Sequence, residues 1–350
     1  MIASRTGGRF PLYFGISLMI LAIFFILNIC LGSVPIPPGQ VVKVLFGMGS
    51  EQATWENIIL QFRMPKAITA VLVGSGLGVS GLLMQTLFRN PLAEPFVLGI
   101  SSGASLGVAL TILSGMWLGT ILTQAGVGGI WIITFAAFAG AFLVLLLVLA
   151  ISARVRDSIT LLIIGLMMGS ATSALVSILQ YYSKAESIQA YLIWTFGSLG
   201  GVTWDELRIF IPVVIAGIAG SWVLAKPLNA LLLGESYAES LGVKVKTIRF
   251  YIIMAASVLT GVITAFCGPV AFIGIAVPHL TRMLFHTTNH RVLVPLILIT
   301  GAILMLACDI VAQLPGQEIT FPINAITSII GAPIVIWIVL RRRDLSTSFS

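Results

Sequence analysis

Charge is what this sequence has least of. Only 9% of its 350 residues are Asp, Glu, Lys or Arg, against roughly 25% in a soluble globular chain. Such a surface cannot keep a domain of this size dissolved, so the soluble classes are excluded. Cysteine is scarce as well. Cys30, Cys267 and Cys308 show no paired spacing and each lies in an apolar run, which argues against a disulfide framework or metal knot and for small buried hydrophobes. The histidines are His279, His286 and His290; near a predicted helix end, they read as solvated or interfacial side chains rather than metal ligands. No GxxxxGK[ST] occurs, so the chain has no loop of its own to cradle a nucleotide. No His or carboxylate cluster shares one depth in the apolar runs, which argues against a membrane enzyme.

What fills the place of charge is hydrocarbon: 58% of residues are hydrophobic, and the mean hydropathy is +1.08. The apolar blocks run from end to end, so one polytopic, all-α membrane domain over 1–350 is expected, with membrane lipid as its surroundings. The net charge of +7 is first a topology signal and only second a hint of anionic partners; nucleic acid is not expected. Uncharged runs near the roughly 20 residues a helix needs to cross hydrocarbon predict ten transmembrane helices: 11–32, 66–87, 96–114, 130–152, 158–181, 207–225, 248–267, 270–285, 293–312 and 321–340. The first follows Arg5 and Arg9 as a signal peptide would. It exceeds the roughly 7–15 residues of a signal core, and no A-x-A site follows, so a retained span is expected. The Gly-rich patch at 124–129 is the turn expected in the uncharged stretch after Pro95. Cys267-Gly268-Pro269 is the turn expected between Arg249 and Arg282.

With the amino terminus inside, Lys43, Arg63, Lys66, Lys184 and Arg208 fall outside and the other fourteen of nineteen Lys and Arg fall inside. This is the asymmetry of the positive-inside rule, and it makes both termini cytoplasmic. A short external helix is expected at 187–201, with Trp194 and Trp204 as interface anchors.

The run Ala67–Phe88 carries Gly74, Gly78 and Gly81 within one helical face. Small residues let helix backbones meet in lipid, so this span is expected to be buried among its neighbours. Gly165, Gly169, Ser170, Thr172 and Ser173 give the fifth span a similar small, partly polar face, read either as packing or as the lining of a pathway. Asn90-Pro91-Leu92-Ala93 and Gly268-Pro269-Val270-Ala271 each follow a Gly-bearing span. Their preceding helices run oppositely in the ten-span arrangement, the pattern of an inverted repeat.

RMPKAITAVLVGSGLGVSGLLMQTLFRNPLAEPFVLGISSGAS (Arg63–Ser105) resembles the signature region of the FecCD-type permeases, membrane subunits of ABC importers for iron siderophores, haem and cobalamin. LLLGESYAESLGV (Leu231–Val243), FCGPVAFIGIAVPHLTRML (Phe266–Leu284), NHRVLVPLILITGAILMLACDIVAQ (Asn289–Gln313) and ITSIIGAPIVIWIVLRRR (Ile326–Arg343) agree in order along nearly the whole chain. The resemblance implies a type II ABC importer permease fold, a homodimer with an outward-facing cavity, two cytoplasmic ABC ATPase subunits that carry ATP-Mg, and a periplasmic substrate-binding protein. It implies no cofactor or metal on this chain, and no catalysis by it.

The same resemblance makes 228–246 a cytoplasmic coupling segment of two short helices, with Leu231, Leu233, Gly234, Glu235, Ala238, Leu241 and Gly242 meeting the ATPase. A subunit without a nucleotide site must receive work through a rigid surface element. Arg63 and Lys66 stand outside against the positive-inside rule; the resemblance gives Arg63 acidic partners on the binding protein, and plain anchoring is the competing reading. Ser158, Ile159 and Thr160 resemble the family's cytoplasmic gate, although polar residues at a helix start also serve as caps. Met167, Met168, Ser170 and Thr172 are candidate pathway residues. The family's A-D-x-x-A-R then E-L-P-V-G reads here as Cys308-Asp309-Ile310-Val311-Ala312-Gln313 then Glu318-Ile319-Thr320-Phe321-Pro322. Gln313 thus stands where a second docking arginine is usual, a role Arg208 or Lys184 could take. Asp309 is expected to face protein or water in a structural role.

The function expected is transport of a large metal chelate inward across a bacterial inner membrane by alternating access, with ferric siderophore or haem ahead of cobalamin. The alternative is an ion-coupled secondary transporter of a small solute. That reading wants charged coupling residues inside the spans, and apart from Asp309 they carry none.

Overall fold

The computed structural model describes residues 10–113, 129–155, 158–313 and 320–340. Its described residues are helical, with no strand among them. The expected turn at 124–129, Glu318 and both chain ends lie outside them, apart from Gly129, which opens a helix.

α1 (Phe10–Cys30) leads to two short helices, α2 (Pro38–Leu45) and α3 (Ala53–Asn57). A π-helical turn, Ile58–Arg63, then runs without a break into α4 (Met64–Leu87). The 3-10 turn Pro95–Leu98 precedes α5 (Ile100–Ile112), followed by α6 (Gly129–Arg154) and α7 (Ser158–Tyr181). Next come α8 (Ala185–Thr195), α9 (Trp204–Val223), α10 (Ala225–Leu231) and α11 (Glu235–Ser240). The chain closes with α12 (Val245–Cys267), α13 (Ile273–Phe285), α14 (His290–Gln313) and α15 (Ile323–Leu340).

Every predicted span has its helix, but the helices differ in reach. Among the described residues seven are long and apolar enough to cross a membrane, and the segments α5, α13 and Ile323–Trp337 are shorter apolar helices. The 13 residues of α5 and of α13 rise about 20 Å, short of the roughly 30 Å of hydrocarbon. Both start later than the uncharged runs predict, because the backbone breaks first. Gly99 adopts φ +76° after the 3-10 turn, and Gly268 (φ +74°) and Phe272 (φ +66°) kink the chain before α13. The short helix expected outside at 187–201 runs Ala185–Thr195. α9 opens at Trp204 because Thr203 and Glu206 form a capping box, the Thr203 N–H donating to Glu206 Oε2 at 2.6 Å.

α4 is the central helix, packed on α9, α12, α13 and α14. Its glycines are where these helices touch. A Cβ on Gly74 would stand 2.1 Å from the Gly301 carbonyl oxygen of α14, and one on Gly81 1.9 Å from that of Gly274 in α13. α5 and α6 meet the same way, a Cβ on Gly107 standing 2.0 Å from the Ala136 oxygen. Such backbone contact is how helices associate where lipid supplies no hydrophobic drive.

The packing is internally duplicated. α4 pairs with α14 as α12 pairs with α6, α5 with α6 as α13 with α14, and α5 with α7 as α13 with α15. Each partner in one set of four, α4–α7, thus corresponds to one in α12–α15, the arrangement that the two Pro-containing motifs mark in the sequence. Hydrogen bonds join the two sets where their short helices begin: Glu94 Oε1 accepts the Phe272 N–H at 2.8 Å.

The connections gather at two ends. At one, Arg63 bonds to the last carbonyls of α1, Trp204 Nε1 donates to Leu60 O, and the Ser198 N–H donates to Cys267 O. Lys43, Arg63, Lys66, Lys184 and Arg208 lie at this end, the five residues that charge counting separated from the rest. At the other end, α10, α11, the start of α14 and the close of α6 meet.

Candidate functional site

The α10–α11 segment is the most constructed surface of that second end. Gly234 (φ +111°) and Gly242 (φ +82°) take conformations that favour glycine and bracket α11 between two turns. Leu231 and Ala238 are buried and seat the segment on the body, whereas Leu233 is 64% and Leu241 59% exposed. Tyr237, which sequence reading passed over, is exposed between them. Tyr237 and Leu241, one helical turn apart, form an apolar ridge at a polar end of the molecule, with Leu233 exposed just ahead of Gly234.

Glu235 does not join that ridge. Its carboxylate accepts from Arg249 Nη2 at 2.8 Å, and Nη1 of the buried Arg249 donates to Val155 O at 3.1 Å. One guanidinium therefore ties α11 to the base of α12 and to the residue after α6. A second tie joins α10, α4 and α14. His290 Nδ1 lies 2.7 Å from Asn229 Oδ1 and Nε2 2.9 Å from Thr86 Oγ1, and Asn229 Nδ2 donates to Asn289 Oδ1 at 2.9 Å. His290 is buried, not solvated as its position in the sequence implied; the Asn229 side chain on a preceding helix satisfies it. Arg282 of α13 bonds to Gln85 of α4, whose amide donates to Gly274 O at 3.3 Å. The segment is thereby rigidly joined to the helices that cross the membrane.

The candidate pathway residues divide between two faces of α7. Ser158 is its first residue. Ile159, Thr160, Met167 and Ser170 are exposed, with Ser170 Oγ donating to Leu166 O at 3.1 Å. Thr172 is buried and Met168 packs into the core. Gly165 lies on the packed side, where a Cβ would meet Val97 O at 2.3 Å. The open face continues through Ile163, Leu175 and Ile178 to Tyr181.

At the opposite end, the predicted docking pair is drawn inward. Arg63 Nη1 donates to Ile29 O and Cys30 O, each at 2.8 Å, and Nη2 to Val34 O. These include carbonyls that the end of α1 leaves without helical partners. Lys66 Nζ is 3.1 Å from Asp309 Oδ1. Asp309 Oδ2 also accepts from Asn28 Nδ2 at 2.8 Å and from Gln313 Nε2 at 2.6 Å. Asp309 thus faces protein, as its cost in lipid requires, and Gln313 is one of its three donors.

The sequence model of the FecCD transport family matches residues 20–341. The chain is similar to the vitamin B12 import system permease protein BtuC of Klebsiella pneumoniae, 34% identical over 330 residues that cover 94% of this chain and 93% of that protein. The BtuC of Citrobacter koseri is 34% identical over 328 residues, covering 93% and 92%. Among solved structures, one described as an inward-facing metal-chelate type ABC transporter superposes with a TM-score of 0.81 at 29% identity, covering 95% of this chain and 99% of the other.

Proposed function

Since this chain belongs to the FecCD transport family, we propose that it is the membrane subunit of an ATP-driven importer that carries a metal chelate from periplasm to cytoplasm. It is a multi-pass inner-membrane protein, as its apolar helices and its relatives together establish. The observation that carries the proposal is the α10–α11 segment: an apolar ridge on a polar end, tied through Arg249 and His290 to four of the longer helices. Such an element transmits motion from a partner that hydrolyses ATP. In this reading that partner is a pair of ABC ATPases beneath α11, and this end is cytoplasmic, in keeping with its larger share of Lys and Arg.

The exposed face of α7, together with Ile329 and Ile336 of α15, is read as the surface on which a second copy packs and between which the chelate passes. A periplasmic substrate-binding protein is assigned to the opposite end. In this conformation Arg63 and Lys66 are engaged within the chain, so docking there draws on Lys184 and Arg208 as well as on that pair. The curated relatives named for vitamin B12 move cobalamin to the front of the candidate cargoes, with ferric siderophore and haem beside it. The secondary-transport reading is disfavoured because Asp309 is held by three donors and is poorly placed to exchange a coupling ion.

The test is reconstitution of the chain with its ATPase and binding protein, followed by uptake of cobalamin, ferric siderophore and haem in parallel. ATP-dependent uptake of one of them is expected. Uptake that proceeds at full rate without the ATPase would overturn the proposal.

A further inference from the structure

The connection between α1 and α4 is built more firmly than a linker requires. α2 buries Gln40, Val41 and Val44 against the body, with α1 as its principal helix neighbour. Beyond it, Gly47 (φ +71°) and Gly49 (φ +72°) flank Met48, and the N–H groups of Gly47 and Met48 return to Val44 O at 3.0 Å and Lys43 O at 2.9 Å. Gln40 bonds to Glu51 across the turn, and Lys43 lies 3.7 Å from the same carboxylate. The turn held in this way exposes Phe46 at 75% and Met48 at 71%, with Val34 and Val42 also open.

Removing a Phe or Met side chain from water is favourable, so a fixed turn that displays both to water would be a standing cost. We propose that this turn is an interfacial anchor, with Phe46 and Met48 inserted at the headgroup–acyl boundary of the leaflet where α1 leaves the membrane. Lipid is the occupant because the patch continues an existing lipid surface. α1 exposes Met19, Ile23, Ile26 and Leu27 along its length, and α2 rests against α1 rather than beside the open face of α7. The local charge fits a lipid boundary too, since Lys43 and Glu51 neutralise each other. The anchor fixes the depth of the end that carries Arg63, Lys66 and Asp309, whatever the transported cargo.

The test places a nitroxide at Phe46→Cys, Met48→Cys and, as control, Gln52→Cys, in the transporter assembled with its ATPase in phosphatidylcholine–phosphatidylglycerol vesicles. The native cysteines are buried, so the label reports the introduced site. Expected is a several-fold excess of collisions with oxygen over a water-soluble nickel chelate at 46 and 48, and the reverse at 52. Equal nickel access at all three positions overturns the proposal. So does water-like access at 46 and 48 that is lost only when the substrate-binding protein is added, which would make the turn a protein dock. As a second measurement, the Phe46→Ser, Met48→Ser double variant should melt like the parent in detergent but lose part of the stabilisation that vesicles confer. An unchanged vesicle stabilisation counts equally against the anchor.

Discussion

α4 and α7 are alike as sequences and opposite as parts of a structure. Each is 24 residues long, carries more than one glycine and would cross a bilayer. Yet 83% of the most apolar stretch of the span containing α4 is buried, against 22% for α7. The difference lies in where the glycines point. Those of α4 face several neighbours: Gly74 meets α14, Gly81 meets α13, and a Cβ on Gly76 would touch Ile263 of α12 at 2.7 Å. Those of α7 serve one flank, Gly165 against the 3-10 turn and Gly169 beside Ser102 of α5. A helix with small residues all round becomes a hub, whereas one with a single small flank keeps a free face for a partner or a passage.

The most severe way to break this contrast is Gly81→Ala or Gly74→Ala. A Cβ placed about 2 Å from a carbonyl oxygen has no room, so the loss should reach or exceed the upper end of the ~1–3 kcal/mol usual for overpacked cores. Gly169→Ala, whose Cβ would meet only Ser102 Oγ, at 3.4 Å, should be tolerated. Yield of monodisperse protein and its melting temperature compare the two helices directly, and equal losses would refute the distinction.

Next in size is Asp309→Ala, which leaves Lys66 of α4 without its counter-charge; because the Lys66 side chain is partly exposed, the cost should stay below the ~3–5 kcal/mol of breaking a fully buried pair. Asp309→Asn, which keeps acceptors for Asn28 and Gln313, should cost less, as thermal melts would show. A smaller stability loss is expected for Glu235→Gln, since Glu235 is partly exposed; here the larger effect is functional. ATP hydrolysis should continue while uptake falls, with normal membrane insertion, and a parallel fall in both would argue against a coupling role. Least disturbing of all is Ser170→Cys on the open face of α7. Its melting temperature should match the parent, and a bulky thiol reagent should modify it faster than Thr172→Cys on the packed side.

Much of this was legible in the residues. Runs free of charge located the helices, and the sign of the few charges sorted the connections into the two ends that hydrogen bonds later joined. The capping box Thr203-Trp204-Asp205-Glu206 was a signal the span count passed over, and it sets the start of α9 three residues before the predicted one. The coupling segment was visible as a motif, but its division of labour was not. Leu233 and Leu241 face out, Leu231 and Ala238 face in, and Glu235 turns to an arginine that had counted only as a topology charge.

The order of residues is enough to specify a membrane protein of apolar helices, with its small-residue faces and the asymmetry of its charge. Which of those helices is central, where α5 and α13 begin, and that Arg63, Arg249 and His290 act within the chain emerge from the packing alone. The reason is physical. Hydrocarbon and protein interior are both apolar, so a helix needs much the same residues for either surrounding. Burial in a bilayer is decided by which backbones come into contact, a relation between segments far apart along the chain.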